Sequence, residues 1–170
     1  AYQGFGEGID QDAFAVRLFA ESGLPFFVSS SFSKSFSLYG ERVGALSIVT
    51  ASKDEAGRVL SQAKRVIRTN YSNPPTHGAT VVASVLNSPE LHALWEQELG
   101  EMRERIRDMR LAMVEQLAAL GAKRDFSFVA RQRGMFSYSG LTAEQVERLK
   151  TEFGIYAVGT GRICVAALNR

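Results

Sequence analysis

The sequence predicts an α/β fold built in two parts. Three observations carry that reading: short apolar runs at 24–30 (LPFFVSS) and 43–50 (VGALSIVT), apolar residues at three-or-four spacing between and beyond them, and a change of period near residue 100. Strands alternating with helices are expected before residue 100 and a smaller α+β unit after it. With 170 residues, 45% of them hydrophobic and 22% charged, the chain can bury a core and is too apolar to stay disordered.

In chain order, Asp10 is expected to cap a helix that carries Phe14, Val16, Leu18 and Phe19 and closes at Gly23. The runs at 24–30 and 43–50 read as buried parallel strands, joined by a polar, hydroxyl-rich stretch at 31–42. Ser52 and Glu55 form a capping box for a helix reaching about Arg68, and Asn73-Pro74-Pro75 follows as a break, because prolines lack the backbone donor. A further helix is expected over about 76–87. Ser88-Pro89-Glu90 then opens the longest element, with a capping serine, a proline at the first helical position and an acid at the positive end of the dipole. Its stripe runs through Leu91, Trp95, Leu99, Met102, Ile106, Met109 and Met113 to Gly121. Such a helix is about 45 Å long, so it is expected to join the two parts, with a bend near Gly100. Beyond it, strands are expected at 127–130, 134–139, 155–158 and 162–168, and a helix from a second capping box at Thr142.

Charge excludes several partners. Twenty Lys and Arg against eighteen Asp and Glu give +2, and no basic run points to nucleic acid. One cysteine, Cys164, allows no internal disulfide, and His77 and His92 lack ligand spacing, so a reducing cytoplasm without a metal site is expected. Neither a membrane span nor a basic leader is indicated. The start on Ala1-Tyr2-Gln3-Gly4-Phe5-Gly6, without Met, leads us to expect a piece of a longer protein.

The chemistry gathers around Ser29-Ser30-Ser31-Phe32-Ser33-Lys34-Ser35-Phe36-Ser37. Hydroxyls flank a lysine at the end of an apolar strand, the place where α/β sheets hold ligands. Arg42 adds a two-pronged donor suited to a phosphate dianion. This looks like an anion cradle with an amine in it, and composition alone balances that reading evenly against a solvated serine-rich loop.

Ser31-Phe32-Ser33-Lys34 followed by Leu38-Tyr39-Gly40-Glu41-Arg42-Val43-Gly44 resembles the cofactor-lysine segment of the aspartate/aromatic aminotransferases, within the fold-type I pyridoxal-phosphate enzymes. Ala1-Tyr2-Gln3-Gly4-Phe5-Gly6, Tyr71-Ser72-Asn73-Pro74-Pro75-Thr76-His77-Gly78-Ala79, Gly134-Met135-Phe136-Ser137 and Gly161-Arg162-Ile163-Cys164-Val165-Ala166 follow that family's order and spacing. The resemblance therefore covers essentially the whole chain. It implies that residues 1–100 are the carboxy-terminal part of a large mixed-sheet cofactor domain and that residues 101–170 are a truncated small carboxy-terminal α+β domain, joined by the long helix.

The resemblance also implies roles. Lys34 would hold pyridoxal 5'-phosphate as a Schiff base and relay the substrate's α-proton; Ser31, Ser33 and Arg42 would hold the phosphate, and Tyr2 the ring hydroxyl. Arg162 would grip the substrate α-carboxylate, Arg68 the side-chain carboxylate of dicarboxylic substrates across a homodimer, and Phe136 would line the pocket. An aspartate on the ring nitrogen is expected two places before Ala1, outside this sequence, so the piece alone is expected to be inactive. The substrates implied are an amino acid and a 2-oxo acid. Ser35-Phe36-Ser37-Leu38-Tyr39-Gly40 favours aromatic amino acids with 2-oxoglutarate, Arg68 keeps aspartate aminotransferase as the alternative, and a non-catalytic effector-sensing domain of a transcription regulator is a third. Trp95, His77 and Cys164 read as structural.

Overall fold

The computed structural model describes residues 2–169, so Ala1, the head of the first motif, and Arg170, the last residue of the expected second domain, lie outside the described residues. The chain divides into two units, Ala1–Gly4 with Gly8–Glu98, and Phe5–Glu7 with Leu99–Arg170.

In the first unit, two short helices open the chain, α1 (Ile9–Asp12) and α2 (Phe14–Glu21). Asp10 does not cap them. Gly8 stands at the N-cap without a side-chain bond, while the Asp10 carboxylate is taken up by Arg17 at 2.5 Å and Asp12 Oδ2 accepts the Gly4 N–H at 2.7 Å. At the other end Gly23, at φ +72°, takes the left-handed turn that only a residue without Cβ adopts freely.

Strands β1 (Phe26–Ser31) and β2 (Gly44–Val49) correct the expected parallel pairing. They form a two-stranded antiparallel ladder from Phe26↔Val49 to Ser31↔Gly44. The physical reason is the connection: residues 32–43 hold turns and no crossover helix, and without a crossover the chain can return only antiparallel. Neither strand is buried as the apolar runs suggested, and Phe27 and Leu46 are exposed. Helix α3 (Lys53–Tyr71) begins at Ser52, whose Oγ accepts the Glu55 N–H at 3.2 Å while the Glu55 carboxylate accepts the Ala51 N–H at 3.0 Å. Helix α4 (His77–Asn87) follows, with Gly78 buried so closely on Val43 that an added Cβ would lie 3.0 Å from that side chain.

Helix α5 (Pro89–Ala119) contributes its first turns to this unit and the rest, from Leu99, to the second. There Leu99, Ile106 and Met109 are buried with Val129, Val146 and Val165. The expected strand at 127–130 is instead a helical turn, α6 (Ser127–Ala130), because Asp125 accepts both the Ser127 N–H at 2.8 Å and its hydroxyl at 2.7 Å and so starts a turn. Strands β3 (Phe136–Tyr138) and β4 (Arg162–Cys164) pair antiparallel, Phe136↔Cys164 and Tyr138↔Arg162, and β4 gives way to a 3₁₀ turn at Val165–Ala167. Between them α7 (Ala143–Phe153) carries the full Thr142/Gln145 capping box. The segment expected as a strand at 155–158 forms none, and it meets β4 through the Val158 N–H, which donates to the Arg162 carbonyl at 3.3 Å. Ile155 donates back to the Leu149 carbonyl at 3.0 Å, and Val158 accepts the Gly161 N–H at 2.8 Å to close a turn.

No described helix is long and apolar enough to cross a membrane.

Candidate active site

Lys34 sits just past the end of β1, in the loop that returns the chain to β2. The Phe36 N–H donates to the Phe32 carbonyl at 3.3 Å and the Ser37 N–H to the Lys34 carbonyl at 3.1 Å, so the lysine lies within one tight turn. Its ammonium rests on the Tyr39 ring, 4.1 Å from the centroid, and meets no carboxylate among the described residues.

Ser31 and Ser33 are linked at the start of that loop, where Ser31 Oγ accepts the Ser33 N–H at 3.3 Å. That bond uses an oxygen lone pair and leaves the hydroxyl proton for an anion. Arg42 closes the loop at φ +52° and donates to the Tyr39 carbonyl at 3.0 Å. Tyr2 is 41% exposed and makes no hydrogen bond to Lys34, Ser31, Ser33 or Arg42. Arg68, in the last turn of α3, donates to Ser72 Oγ.

Backbone strain marks these same segments. Among the described residues, the non-glycine residues at positive φ are Ser37, Arg42 and Ser72. Each left-handed residue costs on the order of 1 kcal/mol, and such costs gather where function requires a geometry that packing alone would not choose.

Phe136 and Arg162 belong to the second unit and meet there. Phe136 pairs with Cys164, and Arg162, two residues away on the same face of β4, lays its guanidinium 4.8 Å from the Phe136 ring centroid. Arg162 is exposed there, and its planar guanidinium is the two-pronged donor that a carboxylate favours. Both residues border a cavity of about 820 Å³ shared with Leu141, Leu149, Phe153 and Ile155.

Two residues without an expected site role support these positions. Arg110 on α5 is 4% exposed and donates to Ser137 Oγ at 3.1 Å and the Gly134 carbonyl at 2.5 Å, bracing the strand that carries Phe136. Burial first, and the nearby Arg133 second, hold its guanidinium below the ordinary arginine range. Trp95, read as structural, donates its indole N–H to the Ser35 carbonyl at 2.7 Å, beside Lys34. Neither was visible in sequence, since each sits at an ordinary helical position and its partner lies far along the chain.

The family model for aminotransferase class I and II matches residues 1–170. The chain is 88% identical to an aspartate aminotransferase of Pseudomonas aeruginosa over 170 residues, which is all of this chain and 43% of that relative's length. It is 55% identical to an aromatic-amino-acid aminotransferase of Escherichia coli over 99% of this chain and 43% of that protein. The crystal structure of an aromatic-amino-acid aminotransferase from Burkholderia pseudomallei, covalently bound to pyridoxal phosphate, superposes with a TM-score of 0.97 at 76% identity, covering 99% of this chain and 42% of that one. The chain thus spans less than half the length of these relatives.

Proposed function

Because this chain belongs to the class I and II aminotransferases, we propose that it forms part of an enzyme that moves an amino group between an amino acid and a 2-oxo acid with pyridoxal 5'-phosphate bound at Lys34. The observation that carries the reading is the Lys34 loop itself: an amine without an acid partner, two hydroxyls and a guanidinium gathered in a strained turn. That donor set suits a phosphorylated aldehyde. Ser31, Ser33 and Arg42 would hold its phosphate, Tyr2 its ring hydroxyl, and the Lys34 amine, with no ion pair to break, would condense with the aldehyde with loss of water and, once the substrate's amine displaces it, would relay the substrate's α-proton. The bound cofactor supplies an electron sink for the charge that the departing proton leaves behind.

Arg162, held by Phe136, would receive the α-carboxylate, and Arg68 the side-chain carboxylate of aspartate or glutamate. Both dicarboxylic and aromatic amino acids are proposed as donors, with 2-oxoglutarate as acceptor. The 88% match to a protein named aspartate aminotransferase favours aspartate as one of them. The two units, Ala1–Gly4 with Gly8–Glu98 and Phe5–Glu7 with Leu99–Arg170, would correspond to a cofactor domain and a small domain, in a cytoplasmic homodimer. In the whole protein, Lys34→Ala should lose the borohydride-trapped cofactor adduct; trapping on any other lysine would overturn the assignment. An adduct on Lys34 without turnover of aspartate or tyrosine would favour an effector-sensing role instead.

A further inference from the structure

We propose that Trp95 is a positioning residue for Lys34, fixing from helix α5 the peptide that carries the reactive amine. This rests on Lys34 being the cofactor lysine. Left to its own bonds, the lysine turn is held by weak local contacts and carries strain at Ser37, so it would wander as loops do. Three contacts prevent that. The Trp95 indole N–H donates to the carbonyl of Ser35, the residue after Lys34, at 2.7 Å across 60 positions of sequence. The indole face stacks on Phe36 with centroids 4.7 Å apart and planes 18° apart, and Phe36 meets Phe32 edge-on at 5.4 Å and 85°.

The grip therefore falls on both sides of Lys34, at Phe32 before it and at Ser35 and Phe36 after it. An indole can do this because it joins an apolar face to a single edge donor; phenylalanine supplies only the face. Helix α5 runs for 31 residues, so the loop is tied to a long rigid element rather than to another loop. A reacting amine displaced by about 1 Å can lose a hundred-fold in rate, which makes the clamp a matter of turnover more than of stability.

The test uses the whole protein with pyridoxal phosphate bound. Trp95→Phe, which keeps the stack and removes the N–H, should lower kcat about five-fold with KM for both substrates within about two-fold, and should weaken the visible circular dichroism of the bound cofactor. Trp95→Leu should lower kcat further; if it fails to fold, the phenylalanine variant carries the test. A tryptophan that only fills space would lower the unfolding temperature and leave kcat and the visible band of the folded protein unchanged, and that result overturns the proposal. Lys34→Ala separates the two claims. If it keeps the trapped cofactor adduct, the site reading fails; if it loses the adduct while Trp95→Phe keeps full kcat, the positioning role alone fails.

Discussion

Replacing Arg110 should loosen strand β3 selectively. Its guanidinium makes two good bonds to neutral oxygens, Ser137 Oγ at 3.1 Å and the Gly134 carbonyl at 2.5 Å, while the contact to the Phe136 carbonyl at 3.5 Å is too long to count for much. Ser137 is 2% exposed, so water cannot take over its bond. Hydrogen bonds from a charged donor are worth about 1.5–3 kcal/mol each, and the two together about 3–6. Arg110→Met returns part of that, because the methionine does not have to strip water from a cation, and a net loss of about 3 kcal/mol is expected. Amide exchange should read it where it acts: a peptide covering residues 134–139 should exchange about a hundred-fold faster, with α3 unaffected. Adding Ser137→Ala removes the orphaned hydroxyl and should recover about 1 kcal/mol. Unchanged exchange across 134–139 in Arg110→Met would refute the reasoning, since the strand would then not depend on this brace.

Arg162→Leu in the whole protein should lower kcat/KM for every amino acid by at least about ten-fold, whereas Arg68→Leu should penalise aspartate and leave tyrosine nearly unchanged; steady-state kinetics on both substrates decide it. Gly161→Ala should destabilise the turn that leads into Arg162 by about 2 kcal/mol or more, because φ is +81° there and an added Cβ would lie 2.6 Å from the Leu141 carbonyl oxygen. Faster exchange of the Ser139 amide, which bonds the Gly161 carbonyl at 2.9 Å, is the readout. Asp125 should titrate below the ordinary carboxylate range, because the backbone N–H and hydroxyl of Ser127 favour its charged form. Its contribution to stability is thus present above the ordinary carboxylate pKa and lost as pH falls through the depressed folded value; a carbon-detected NMR titration showing an ordinary midpoint would contradict this.

Much of the helical framework was legible because its signals are local. The Ser52 and Thr142 caps, the proline at the head of α5 and the glycine past its end act within a few residues of themselves, and the structure shows each where the pattern put it. The strands were harder. An apolar run such as 24–30 says that a segment prefers company without saying which company, so it left the direction of the β1–β2 pairing open, and the antiparallel ladder had to come from the structure. At 127–130 the run Phe128-Val129-Ala130 points to a strand, and the Asp125 side chain two residues before Ser127 outweighs it by starting a helical turn.

By itself, then, the sequence determined the family, through motifs whose order and spacing are written along the chain, and it determined the helix ends, whose chemistry is satisfied by near neighbours. Tertiary structure decided what steadies the candidate site. Trp95 reaches Ser35 across 60 positions, Arg110 reaches Ser137 across 27, and Arg162 meets Phe136 only because β3 and β4 pair in one register. Such contacts depend on where two distant segments are brought together by packing, and no local pattern of residue types encodes that meeting.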